Sequence, residues 1–244
     1  KVEKDGSYEI KVSAKNDKLI DESIMTKLED GINLYVEYLK NGVAQDLSGI
    51  KKMENRILIE SVGGCAYRTL SKVLEKLEIS DKFDWNNTEE DPFFHSIGKY
   101  DTDTKGNKTF YDYSVDATVV ATKPNGEKFF PVIESLHYEN LLKNYPFGTA
   151  VLITDPDHDR LTICELENAG NVPTLEENGI SYVKLDEDRV LTVFTANQAF
   201  LMLMDYRAKQ LKHQHKWDKH PRFMIKTTAS ALSWDEWAKH NGVK

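Results

Sequence analysis

A short apolar run, Ala150-Val151-Leu152-Ile153, opens into Thr154-Asp155-Pro156-Asp157-His158-Asp159-Arg160, and a second apolar run, Leu161-Thr162-Ile163, follows at once. Four consecutive apolar residues read as a buried strand. Pro156 has no N–H to give to a ladder, so the spacing predicts that the chain leaves the sheet at Asp155 and loops through Asp159. Three carboxylates at alternate positions of one short loop repel each other unless a cation lies between them. Oxygen-only ligands favour a hard ion such as Mg²⁺ or Ca²⁺. Asp155, Asp157 and Asp159 are therefore the candidate metal ligands, and Arg160 the candidate anion contact. An EF-hand loop is excluded, because Arg160 and Leu166 stand where the required Gly and bidentate Glu would be. A haloacid-dehalogenase-type phosphatase, with Asp155 as nucleophile and Asp157 as acid/base, remains the weaker alternative. Its downstream Lys and acidic motifs are not found.

Elements alternate around this stretch. Ile24, Leu28, Ile32, Tyr35 and Val36 predict a helix from Asp21 to about Leu39, stopped at Gly42, and residues 43–54 read as a linker. Arg56–Glu60 predicts a strand. Ser61-Val62-Gly63-Gly64 then turns into a helix over Tyr67–Leu77, with Leu70, Val73, Leu74 and Leu77 on one face. A tight turn explains the glycine pair better than a phosphate cradle does. Residues 83–113 are polar, aromatic and turn-rich. Asn125-Gly126 predicts a hairpin between strands at Ala117–Ala121 and Lys128–Ile133, followed by a short helix from His137 to Leu142. Further strands are expected at Ile180–Val183 and Arg189–Phe194. Thr195 and Gln198 have the spacing of a capping box, which begins a helix running to about Leu211. A weaker strand signal lies at Tyr8–Val12. The pattern is α/β: layered αβα domains with mixed sheets.

With 244 residues, the chain can bury one large core or two smaller ones. Its net charge of −8 argues against nucleic acid or an anionic membrane as the main partner. No apolar run approaches the length of a membrane span, and no signal peptide is visible. The 2 cysteines, Cys65 and Cys164, give no disulfide framework, so a reducing, cytoplasmic setting is expected. Cys164 falls within an apolar alternation and is expected in the core. His213, His215 and His220 lie in a Lys-rich segment and read as a solvated loop.

The string Thr-Asp-Pro-Asp-His-Asp-Arg-Leu at 154–161 closely resembles the metal-binding loop of the α-D-phosphohexomutases, the phosphoglucomutase and phosphomannomutase family. Thr195-Ala196-Asn197-Gln198 and the apolar segment Phe200–Tyr206 resemble a second family block, in the expected order. Asp91-Pro92-Phe93-Phe94 and Met224–Ser230 are looser matches.

The resemblance implies a phosphoglucomutase-like fold and an isomerase that moves a phosphoryl group between O1 and O6 of a hexose phosphate. The route would be through a phosphoserine and a hexose bisphosphate. It implies Mg²⁺ on Asp155, Asp157 and Asp159, with Arg160 as the catalytic contact to phosphoryl oxygens. It also implies a division into the end of a first domain and linker (1–50), a second domain ending in the metal loop (51–170) and the start of a third (171–244). The break is expected between Glu165 and Arg189.

No Ser-His-Asn-Pro string for the phosphorylated serine is present, Ser13–Asp17 being the nearest. The family's Gly-Glu-x-Ser-Gly-His sugar loop is also missing from the sequence. The expectation is an interior piece of a mutase, inactive alone and partnered by the remaining domains of its parent chain. The competing expectation is a non-catalytic relative that keeps the fold for binding or assembly.

Overall fold

The computed structural model describes residues 28–97, 99–100, 111–112, 117–123, 125–126, 128–228 and 230–244. The strand signal at 8–12, the string at 13–17 and the cap at Asp21 lie outside them. Helix α1 (Leu28–Asn41) and the short α2 (Ser48–Lys51) precede strand β1 (Ile57–Glu60), helix α3 (Ala66–Lys76) and strand β2 (Phe83–Asn86). Two small ribbons follow, β3 (Lys99–Tyr100) with β4 (Tyr111–Asp112) and β5 (Ala121–Thr122) with β6 (Lys128–Phe129). After α4 (Pro131–Ser135) and α5 (Tyr138–Leu141) come β7 (Ala150–Thr154), β8 (Leu161–Asn168), α6 (Val172–Glu177), β9 (Ser181–Lys184), β10 (Arg189–Phe194), α7 (Ala196–His213) and α8 (Leu232–His240).

Six strands form one mixed sheet in the order β2-β1-β7-β8-β10-β9. The β2, β1 and β7 strands run parallel, and β7, β8, β10 and β9 pair antiparallel. Alternation along the strands divides the core in two, as a pleated sheet requires. Leu58, Val151, Ile153, Cys164, Leu166, Leu191 and Val193 face α4, α5 and the turn after them, where Val132, Ile133, Tyr138 and Leu142 are buried. Ile57, Ile59 and Leu152 meet Ile32 and Val36 of α1 and Val73, Leu74 and Leu77 of the α3 region. Both faces are covered, which explains why β1 and β7 read as continuous apolar runs. Burial pushes the Cys164 thiol well up, so it serves as a core residue.

Three local expectations change. Strand β2 lies within the segment read as irregular. Asp84 and Asn86 are poor strand formers, but pairing with β1 and burial of Phe83 override that preference. The strand expected at Lys128–Ile133 stops at Phe129, because Pro131 starts α4 at a position where a missing N–H costs nothing. Strand β5 begins only at Ala121, where a strand was expected from Ala117. Across the expected break between 170 and 171 the sheet is continuous, since β10 pairs with β8 along Arg189–Phe194. The capping box on α7 is present: Gln198 N–H donates to Thr195 Oγ1 at 3.3 Å, and Thr195 N–H to Gln198 Oε1 at 2.9 Å. A cap of this kind contributes roughly 1 kcal/mol. Among the described residues, no helix is long and apolar enough to cross a membrane.

Candidate metal centre

The aspartate loop leaves the sheet at the carboxyl end of β7. Asp155 is the pivot. It is 3% exposed, and both of its oxygens accept from Arg160: Oδ1 from the backbone N–H at 2.9 Å, Oδ2 from Nε at 2.7 Å. Backbone bonds close the turn, from Asp155 N–H to Arg160 O at 3.3 Å and from His158 N–H to Asp155 O at 3.0 Å. His158, at φ 65°, takes the left-handed conformation that turns the chain, and histidine is among the residues enriched there. The fold thus gives it a backbone role where the sequence assigned none.

One oxygen of each of Asp155, Asp157 and Asp159 lies within 4.8 Å of the others. Oxygens sharing one Mg²⁺ or Ca²⁺ stand at most about twice a coordination bond apart, roughly 4–5 Å. The donor set fits one hard ion. Asp157 and Asp159 are exposed, so an ion could reach them from solvent.

Electrostatics within the cluster are uneven. Burial pushes the Asp155 carboxyl up, but the backbone N–H and guanidinium of Arg160 outweigh it and hold the group below the ordinary range. Asp159 is raised by sharing a hydrogen bond with Asp155 and by the charge on Asp157. Carboxylates this close disfavour one another's ionisation, and a cation would relieve that. Arg160 is half-exposed and also lies 3.6 Å from Asp159 through Nε. In this structure, then, its Nε is engaged within the loop.

Behind the loop lies a contact that the sequence did not disclose. Cys65 N–H donates to Pro156 O at 2.9 Å. A Cβ on Gly64 would sit 2.4 Å from that oxygen and 2.5 Å from Pro156 Cα. The second glycine of the pair is therefore where the β1–α3 turn packs directly against the aspartate loop. Thr154 Oγ1 donates to Glu60 O at 3.1 Å and ties β7 to β1 at the same level. A cavity of about 270 Å³ beside the loop is lined by Tyr35, Cys65, Thr69, Asp157 and His158.

Glu60, also missed, is fully buried and accepts from Val62 N–H (2.8 Å), Asn86 Nδ2 (2.8 Å) and Asn87 Nδ2 (2.9 Å). An acidic end to an apolar strand, with Asn-Asn closing the next strand, was the available signal. Burial raises its pKa, while Asn87, Val62, Asn86 and the nearby His95 pull it back. Because the folded value lies above the ordinary one, the native state holds this proton more tightly. Glu60's contribution to stability is thus full below the ordinary glutamate value and is lost as pH rises through the raised one. Glu60→Leu is expected to leave three donors unpaired and to cost about 3 kcal/mol. Urea unfolding should show a lower midpoint, and across that pH window the variant's profile should lack the decline seen in the wild type.

His213, His215 and His220 are exposed and gather no metal-binding group among the described residues. Phe94 packs on the core while Phe93 is exposed, so only one of the two aromatics anchors its loop.

Comparison with known proteins supports the architecture. A solved structure of a Thermus thermophilus protein assigned as a phosphomannomutase superposes with a TM-score of 0.52 over 87% of this chain, at 17% identity. The fold is phosphomannomutase-like. The chain spans 35% of that protein's length. No family model and no curated protein matches the sequence.

Proposed function

We propose that this chain is the cation-holding part of a phosphohexomutase, an isomerase acting on a hexose phosphate through a hexose bisphosphate. The observation that carries the reading is the convergence of Asp155, Asp157 and Asp159 within 4.8 Å on a loop closed by Arg160. The phosphomannomutase-like fold supports it. Phosphoryl transfer asks a protein mainly for positioning and for neutralisation of developing charge. An ion of the Mg²⁺ type held there would supply Lewis-acid charge to a phosphoryl oxygen. Asp155 orients Arg160 through Nε, and the guanidinium, permanently charged, would bind the transferring phosphoryl group. The serine that carries phosphate and the loop that reads the sugar would come from other domains of a longer chain. Continuity of the sheet through β10 suggests that the metal-loop domain extends to about Phe194, with α7 and α8 opening the next.

The experiment is conversion of glucose 1-phosphate to glucose 6-phosphate, with Mg²⁺ and a bisphosphate primer, by this polypeptide and by its longest natural form. Activity only in the long form supports the reading. Turnover by the 244-residue chain alone would refute the division of labour. Tight cation binding with no turnover in either form would favour a non-catalytic relative.

A further inference from the structure

A second cavity, of about 550 Å³, lies beyond the carboxyl ends of β1 and β2 and is lined by Asn86, Asn87, His95, Ser135, His137 and Asn140. That volume is typical of small-molecule sites, which in open α/β sheets collect at the carboxyl ends of parallel strands. Among the described residues its polar lining consists of amides, imidazoles and a hydroxyl, with no Lys or Arg. Ile97, Leu136 and Leu141 supply an apolar component.

Two features set these groups in place. Asn86 and Asn87 both spend a side-chain N–H on Glu60, which fixes the orientation of each amide. Their Oδ1 atoms then remain as acceptors with no partner among the described residues. The backbone is also held in uncommon conformations here. Asn87 (φ 49°), His95 (φ 50°) and His137 (φ 52°) are left-handed, and so are the adjoining Val62 (φ 45°) and Phe94 (φ 52°). Left-handed backbone away from glycine gathers at ligand sites. Hydrogen bonds enforce it: Gly63 N–H to Asn87 O at 3.0 Å and His95 N–H to Asp91 Oδ2 at 3.0 Å.

We infer that this cavity binds a neutral, hydroxyl-rich molecule of hexose size, its hydroxyls meeting the Asn86, Asn87 and Asn140 amides and the His137 imidazole, its apolar face the leucines. Among the described lining residues a phosphate would meet no Lys or Arg. The inference stands apart from the mutase reading, since none of these residues belongs to the aspartate loop.

The test is an NMR titration of the ¹⁵N-labelled 244-residue chain with D-glucose and, separately, with inorganic phosphate. Saturable shifts of the Asn86, Asn87 and Asn140 side-chain amides are expected with glucose, at a Kd of about 1 mM. Asn140→Ala and His137→Gly should each weaken binding roughly threefold to tenfold. Both side chains are exposed, and glycine suits the left-handed backbone at 137, so circular dichroism should be unchanged. No saturable shift with glucose, shifts equal in both variants, or a response to phosphate in place of glucose would each overturn the assignment.

Discussion

Asp157→Asn is expected to abolish cation binding and, in the longest natural form, to lower mutase turnover by roughly 10²–10³-fold. That is the loss of about 3–4 kcal/mol of transition-state charge stabilisation. The side chain is exposed and no part of the core, so the variant should melt with the wild type. Asparagine keeps the size and one oxygen but removes the negative charge that the ion requires. Calorimetric titration with Mg²⁺ reads the first effect and coupled assay the second. Unchanged affinity for Mg²⁺ would mean that the three aspartates do not act as one site. Loss of binding with full retention of activity would mean that the ion takes no part in the chemistry. Asp155→Asn is a poorer probe, because Asp155 also receives two bonds from Arg160 and its loss would disturb the loop itself.

The aspartate loop was legible because its chemistry is local: one apolar strand, a proline, three acids at alternate positions and an arginine. The α7 cap was legible for the same reason, since Thr195 and Gln198 meet within a single turn. What stayed hidden depends on partners distant in sequence. Strand β2 exists because β1 lies beside it, not because Phe-Asp-Trp-Asn favours extension. Glu60 looks like a charged strand end that ought to reach solvent, and only the arrival of Asn86 and Asn87 makes its burial tolerable. In the same way, the return of β10 to pair with β8 across the polar stretch between them is not announced by any local pattern. The fold class and the clustering of the three aspartates could thus be read from short-range pattern, while the contacts behind their loop could not.

Gly64 is the most demanding of those supports. Its backbone is not in the left-handed region, so alanine is conformationally acceptable, and the obstacle is purely steric. An added Cβ would fall 2.4 Å from Pro156 O and 2.8 Å from Pro156 C, both backbone atoms with no rotamer by which to escape. Either the β1–α3 turn or the aspartate loop must move. Overpacking of this kind costs about 1–3 kcal/mol. The loop is the weaker element, being held mainly by Arg160 and by the Cys65–Pro156 bond that the shift would strain. Gly64→Ala is therefore expected to displace Pro156, separate the three carboxylates and weaken Mg²⁺ binding at least about tenfold, a change of about 1.4 kcal/mol. Gly49→Ala is the matched control: it lies in α2 with nothing within 4 Å of the new methyl, and its binding should be unchanged. Alanine also has the higher helix propensity, so a small gain in stability, about 0.5–1 kcal/mol, is expected there. If Gly64→Ala binds Mg²⁺ as the wild type does, the loop is held by Arg160 alone and the glycine contact is incidental. If it loses binding while the urea midpoint falls only modestly, the second glycine belongs to the cation site as firmly as the aspartates, though it contributes no ligand.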